Sequence, residues 1–174
     1  MIEVTIERVV SDKLSDAFVV LLREKDGRRL LPIWIRRLEA ESIAAAVQHT
    51  KPKRPLTHDL CTSLIGAMGG TLQAVHVTVL QGDTYYAELL VAQPDGVVHV
   101  DCRPSDAMAI AVRLMAPILV EDSLLAEIDV LTVDASSVAG QLGIMPPPST
   151  DLSAEQLKAY LEKLRPEDFG KFSP

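Results

Sequence analysis

The chain reads as an α+β domain with largely antiparallel pairing, in the order β-β-β-α-α-β-β-β-α. Three observations point there. Two groups of three strand-like segments are each punctuated by tight-turn residues. Two stretches of helical period separate the groups. After the second group comes an alanine-rich run that is apolar nearly all round, which predicts a central helix rather than a surface one. At 174 residues, with 48% hydrophobic and 4% aromatic, the core is expected to be aliphatic.

Ile2, Val4 and Ile6 alternate with Glu3, Thr5 and Glu7, a half-buried strand pattern over residues 2–10. Residues 16–24 and 29–35 read as two more strands, joined through Lys25-Asp26-Gly27-Arg28, whose Asp-Gly is a hairpin signal. Pro32 cannot donate to a ladder, so the third strand is expected at an edge or a bulge. From residue 37 to about 49 the period turns helical, with Ile43, Ala46 and Val47 on one face and Glu39 and Ser42 outside it. A basic loop stiffened by two prolines (KPKRP, from Lys51) leads to Thr57 as an N-cap. Leu60, Leu64, Ile65 and Met68 then give a second amphipathic helix, ended by Gly69-Gly70.

Val75, Val77 and Val79, residues 84–92 and residues 97–102 make the second strand group. Gln81-Gly82-Asp83 and Gln93-Pro94-Asp95-Gly96 supply the turns. Pro104 suits the first turn of the third helix, because its φ is preset and its missing N–H would be unpaired there anyway. That helix is expected to reach Met115, with Pro117 stopping it, a short strand at Ile118-Leu119-Val120 and a helical turn over residues 123–127. Residues 129–150 lose periodicity, and Pro146-Pro147-Pro148 reads as extended linker. Ser153 and Gln156 fit a capping box, with Leu152 and Leu157 as a hydrophobic staple. Leu157, Leu161 and Leu164 form an apolar stripe. The expected organisation is a domain over 1–130, a linker over 131–150 and a C-terminal helical tail over 151–174. A lone helix of that length is marginal, so it is expected to fold back or to clasp a second subunit. A homo-oligomer, in the simplest case a dimer, is the expectation.

Net charge is −7, which argues against non-specific coating of nucleic acid. The distribution is uneven: residues 23–54 hold nine of the 17 Lys and Arg against four acids, hence +5, leaving −12 for the rest. Cys61 and Cys102 lack metal-type spacing, and reduced thiols suit a cytoplasmic protein. No apolar run approaches the roughly 20 residues of a membrane span. The opening MIEVTIERVV has neither a basic leader nor a signal-type block, so no membrane association is expected.

There is no glycine-rich phosphate loop and no Cys/His metal signature. What stands out is acids and arginines at three predicted helix starts. Glu39 and Glu41 open the first helix; His58 and Asp59 follow Arg54 at the second; Asp101, Arg103, Ser105 and Asp106 surround Pro104 at the third. The bland reading is capping, since acids stabilise helix N-termini. Against it, carboxylates with one histidine are the ligand set that Mg²⁺ or Mn²⁺ prefers. On that reading Glu39, Asp59, Asp101 and Asp106 hold an ion that activates water, His58 is base or ligand, and Arg103 and Arg54 face phosphate. Lys51, Lys53, Arg54, Arg36 and Arg113 are the candidate nucleic-acid contacts, although KPKRP is more often a solvated loop. His49, His76 and His99 carry little signal, and Trp34 is read as a core or interface anchor.

Four blocks then resemble the bifunctional nuclease family in sequence and spacing, across roughly residues 2–130. They are LPIWIRRLEAESIA from Leu31, RPLTHDL from Arg54, YAEL from Tyr86, and DCRPSDAMAIAVR from Asp101 followed by APILV. The tail LEKLRPEDFGKF, from Leu161, is similar to the ending of bacterial members. The resemblance implies an α+β fold and cleavage of both RNA and DNA, as reported for plant relatives, some of which carry a C-terminal interaction module that this sequence does not show. By position it implies Glu39, His58, Asp59, Asp101, Arg103, Ser105, Asp106 and Arg113 as the residues of interest. Arg36 departs from the family pattern, which has glycine there. The leading expectation is a metal-dependent nuclease with little sequence preference, acting on nucleic acid. The alternative is a non-enzymatic binding or regulatory module whose acidic motifs are helix caps. A small-molecule pocket between sheet and central helix is the third.

Overall fold

The computed structural model describes residues 1–11 and 17–127. The linker and C-terminal helix expected beyond these lie outside the described residues. In chain order the elements are β1 (Ile2–Ser11), β2 (Phe18–Glu24), β3 (Arg29–Ile35), α1 (Arg37–Val47), α2 (Thr57–Ala67), β4 (Thr71–Gln81), β5 (Thr84–Gln93), β6 (Gly96–Cys102), α3 (Pro104–Leu114), β7 (Ile118–Val120) and β8 (Ala126–Glu127). A 3₁₀ turn at Asp122–Leu124 precedes β8. The last predicted helical turn is therefore half turn and half strand.

The strands make one eight-stranded sheet in the order β6-β5-β4-β7-β1-β2-β3-β8. Each predicted group is an antiparallel meander, and β7 lies between the two, antiparallel to β1 and parallel to β4. Three residues thus stitch two hairpin systems into one sheet. β3 pairs with β2 through Pro32 but with β8 only at Arg29 and Leu30, so among the described residues the proline faces an open edge, which suits its missing N–H. Gly69 ends α2 at φ +75, a conformation that side chains resist.

One face of the sheet carries all three helices. Val20, Leu22, Leu31, Ile33, Val75, Val77, Leu89 and Val120 pack there against Ala40 and Ile43 of α1 and against Ala107–Ala111 of α3. α3 is buried along most of its length, as its composition predicts. Its alanines let α1, α2 and the sheet approach closely. A smaller cluster on the other face joins Val19 and Leu21 to Val10 and the half-buried Trp34.

Three details correct the sequence reading. Ala40, not Val47, completes the buried stripe of α1, because the helix ends at Val47 and leaves it exposed. Leu56 rather than Thr57 occupies the N-cap of α2, and its N–H donates to the Asp59 carboxylate at 2.9 Å. Most consequentially, the apolar side of α2 does not face the core. Ile65 and Cys61 are partly buried, whereas Leu60, Leu64 and Met68 are exposed.

Met108 is fully buried among the helices and the sheet. Met108→Ala should cost about 2–5 kcal/mol, the range for large-to-small core substitutions. Urea unfolding followed by circular dichroism measures this, and a loss below that range would mean that the helix layer collapses onto the vacated space.

Candidate functional site

The three helices carry a single hydrogen-bonded chain of polar side chains. At one end the Arg103 Nη1 donates to Glu39 Oε1 at 2.9 Å, while its Nε and Nη2 donate to both oxygens of Asp106 at 2.8 and 3.1 Å. Asp106 Oδ1 lies 3.0 Å from His58 Nε2, and His58 Nδ1 lies 2.8 Å from Ser42 Oγ. Ser42 Oγ accepts from Arg113 Nη2 at 3.3 Å, and Arg113 Nε donates to Asp59 Oδ1 at 2.7 Å. Arg113 also donates to the Ala109 and Ser42 carbonyls, which fixes its guanidinium.

The local sequence explains the placement. Glu39 and Ser42 are three apart on α1 and so share a side. His58 and Asp59 sit in the first turn of α2, and Asp106 in the first turn of α3 behind its N-cap Arg103. Arg113, in the last turn of α3, reaches back. The hydrogen-bond directions also assign the imidazole. The Asp106 carboxylate can only accept, so the ring proton sits on Nε2, and in the neutral imidazole Nδ1 then accepts from the Ser42 hydroxyl. Serine, histidine and aspartate thus stand in a relay, half-buried between helices.

The charges respond to these partners. For Asp59, the hydrogen bond from Arg113, helped by the Leu56 N–H, holds the carboxyl below its ordinary value. Burial pushes Asp106 up, but hydrogen bonds from Arg103 and His58 outweigh it and leave the carboxyl lowered. Burial, with the Asp106, Asp101 and Glu88 carboxylates nearby, pushes the Cys102 thiol up to about 12, so it is no nucleophile near neutrality.

The structure therefore brings together Glu39, His58, Asp59, Arg103, Asp106 and Arg113. It separates the rest. Asp101 pairs across β5 with Glu88, which pairs with His76, so this row lies on the sheet face away from the helices. Ser105 is buried in the first turn of α3 and lines a cleft of about 290 Å³ with Arg36, Glu39 and Arg103. Arg36 sits at φ −91, an ordinary extended conformation that needs no glycine. Lys51, Lys53 and Arg54 are exposed beyond the other end of α1, and Lys51 shares a cleft of about 700 Å³ with Asp59 and Arg113. A third cleft, about 480 Å³ and largely aliphatic, opens beside His58, Arg103 and Asp106, between α2 and the β5–β6 floor. Asp106 and Ile110 of α3 line it together with Leu89, Val91 and Val100 of the sheet.

The basic segment is likewise divided. Arg23, Lys25 and Arg29 are paired with Glu7, Glu3 and Glu24, which balances their charges locally. Nor do the carboxylates fit a divalent ion as they stand. Arg103 already lies between Glu39 and Asp106, Asp59 holds Arg113, and Asp101 is elsewhere. Among the described residues no three His, Cys, Asp or Glu side chains come together as ligands. Ser42 was missed by sequence reasoning, because a serine inside a helical period carries no signal until its helix neighbour is known. No helix among the described residues is long and apolar enough to cross a membrane.

Comparison with known proteins adds the following. The bifunctional nuclease domain matches residues 20–132. An uncharacterised protein of Mycobacterium tuberculosis is 41% identical over 151 residues, which cover 87% of this chain and 87% of that protein. Bifunctional nuclease 2 of Arabidopsis thaliana is 30% identical over 126 residues, 70% of this chain and 38% of the plant protein. Bifunctional nuclease 1 of the same plant is 31% identical over 109 residues, 60% of this chain and 34% of its own length.

Because the Asp59 carboxyl is lowered in the folded protein, its contribution to stability is present above the ordinary carboxylate value of 3.8 and is lost as pH falls through the folded value. Asp106 acts in the same direction. Asp59→Asn should lower the melting temperature at pH 7 and flatten its decline between pH 5 and 3. Parallel pH profiles for variant and parent would show that the Arg113 clamp does not hold the helices.

Proposed function

This chain belongs to the bifunctional nuclease domain family, and we propose that it hydrolyses phosphodiester bonds of RNA and DNA at the His58–Asp106 centre, with little sequence preference. The observation that carries this reading is a half-buried histidine held between a serine and a carboxylate, next to an arginine whose side chain is 63% exposed. The Ser42 hydroxyl passes its proton to His58 Nδ1 while taking one from the water whose oxygen bonds to phosphorus, and the imidazolium returns a proton by the same path to the departing ester oxygen as the P–O bond breaks. Asp106, on the Nε2 side, stabilises the imidazolium formed in between. Arg103 uses three of its five N–H donors on Glu39 and Asp106, leaving two for phosphate oxygens. The neighbouring aliphatic cleft has few groups that read base edges, which suits weak sequence preference. No step is routed through Mg²⁺ or Mn²⁺, since Arg103 supplies the positive charge between the carboxylates.

One observation favours the second reading, a binding or regulatory module. Every carboxylate of the network already holds a cationic partner, so the chain of bonds is complete without a substrate. The two readings separate on purified protein with single-stranded RNA and DNA, with EDTA or Mn²⁺. On the nuclease reading, His58→Ala and Asp106→Asn each lose on the order of 10²–10⁴-fold in rate, the usual worth of acid–base catalysis, while near-native circular dichroism persists. Activity should survive EDTA. Parent-like cleavage by both variants would rule out this centre. Loss in EDTA with recovery in Mn²⁺ would mean that an ion displaces Arg103.

A further inference from the structure

Among the described residues one large apolar face has no partner, and we infer that a second copy of this chain covers it. The face has two parts. β6 is the terminal strand of the sheet, paired with β5 from Gly96 to Cys102 and unpaired along its outer edge among the described residues. Edge strands are normally blunted by proline, lysine or a bulge. β6 has none of these: it contains no proline or lysine, and its register against β5 runs without a shift. Val97, Val98 and Val100 are 42–45% exposed. Val98 and Val100 oppose Val91 and Leu89, so they point to the helix side, where they stay 42–45% exposed and no described element covers them. Next to them stands α2, with Leu60, Leu64 and Met68 between 50% and 70% exposed.

The occupant follows from charge and symmetry. Neither β6 nor α2 contains a lysine or arginine, so the face itself, unlike the Arg103 rim of the neighbouring cleft, carries no cation for phosphate or an acidic partner. Two copies that each carry −7 repel, and they meet at least cost where the surface is nearly uncharged. The acids there are Asp59, neutralised by Arg113, and Asp101, turned to the opposite sheet face. A free strand edge is self-complementary under a two-fold axis, because antiparallel pairing of β6 with its own copy satisfies both outer edges alike. The five side chains on the helix side expose on the order of 400–500 Å² per copy, which with the strand edge approaches the ~800 Å² per partner of a standard interface. A patch of that size lies within the ~300–600 Å² of the largest patch on a typical monomer, which is often functional. The aliphatic cleft beside His58 and Asp106 borders this face through Leu64 and Val100. The inference stands whether or not that centre is catalytic.

Sedimentation velocity of the full chain at micromolar concentration tests it. The parent should sediment as a dimer, and Val100→Lys and Leu60→Glu should each sediment as monomers with unchanged far-ultraviolet circular dichroism. Hydrogen exchange of the parent gives a second readout independent of the variants: the β6 amides should exchange more slowly in concentrated than in dilute solution. A monomeric parent, variants that dimerise like the parent, or β6 exchange that ignores concentration would each overturn the proposal.

Discussion

The burial of α3 is the constraint on which the rest depends. A helix covered along most of its length needs small side chains where neighbours approach closely, and Ala107, Ala109 and Ala111 meet that condition while Met108 and Ile110 fill the space between. With its axis set close to β4 and β5, α1 and α2 both pack against it. Its ends then fall beside theirs. Arg103 and Asp106 at its start meet Glu39 and His58, and Arg113 at its finish meets Ser42 and Asp59. The strand that follows, β7, enters the middle of the sheet and joins the two meanders, so this one helix also fixes how the halves of the sheet meet.

The polar chain along these helices has two consequences that pull in different directions. Partly buried polar groups are costly unless satisfied, and here each donor finds an acceptor, which rigidifies the helix layer. The same completeness means that chemistry at His58 requires a substrate to compete with existing bonds. Arg103 is the exception, since it stands at the surface with donors left over. A phosphate arriving there meets a cation whose own charge is already balanced by two carboxylates, so its attraction is local rather than long-range. That is consistent with a chain whose net charge is negative and whose strand arginines and lysine are paired with acids.

Much of the site was legible because its residues sit at helix starts, where sequence signals are strong. Pro104, Asp59 and Asp106 announce their positions by capping rules, and the convergence of Glu39, His58, Arg103 and Arg113 then needs only three helices on one sheet face. Ser42 and the separation of Asp101 were not legible. Ser42 matters only through a neighbour 16 residues away. Asp101 is two residues from Arg103, yet strand alternation turns it to the opposite face, with Glu88 and His76. Proximity in sequence suggested a cluster that the pleat divides.

By itself the sequence determined the period of each element, the turns between them and the aliphatic, alanine-rich character of the core helix. These are local quantities, set by backbone sterics and by alternation of apolar and polar residues over a few positions. Which strands neighbour which was decided only by tertiary structure. So was the outward turn of the α2 leucines, because an amphipathic pattern states that a face is apolar and not what lies against it. The pairing of each carboxylate with its arginine belongs to the same class. It depends on helices meeting across the fold, and no residue carries that information alone.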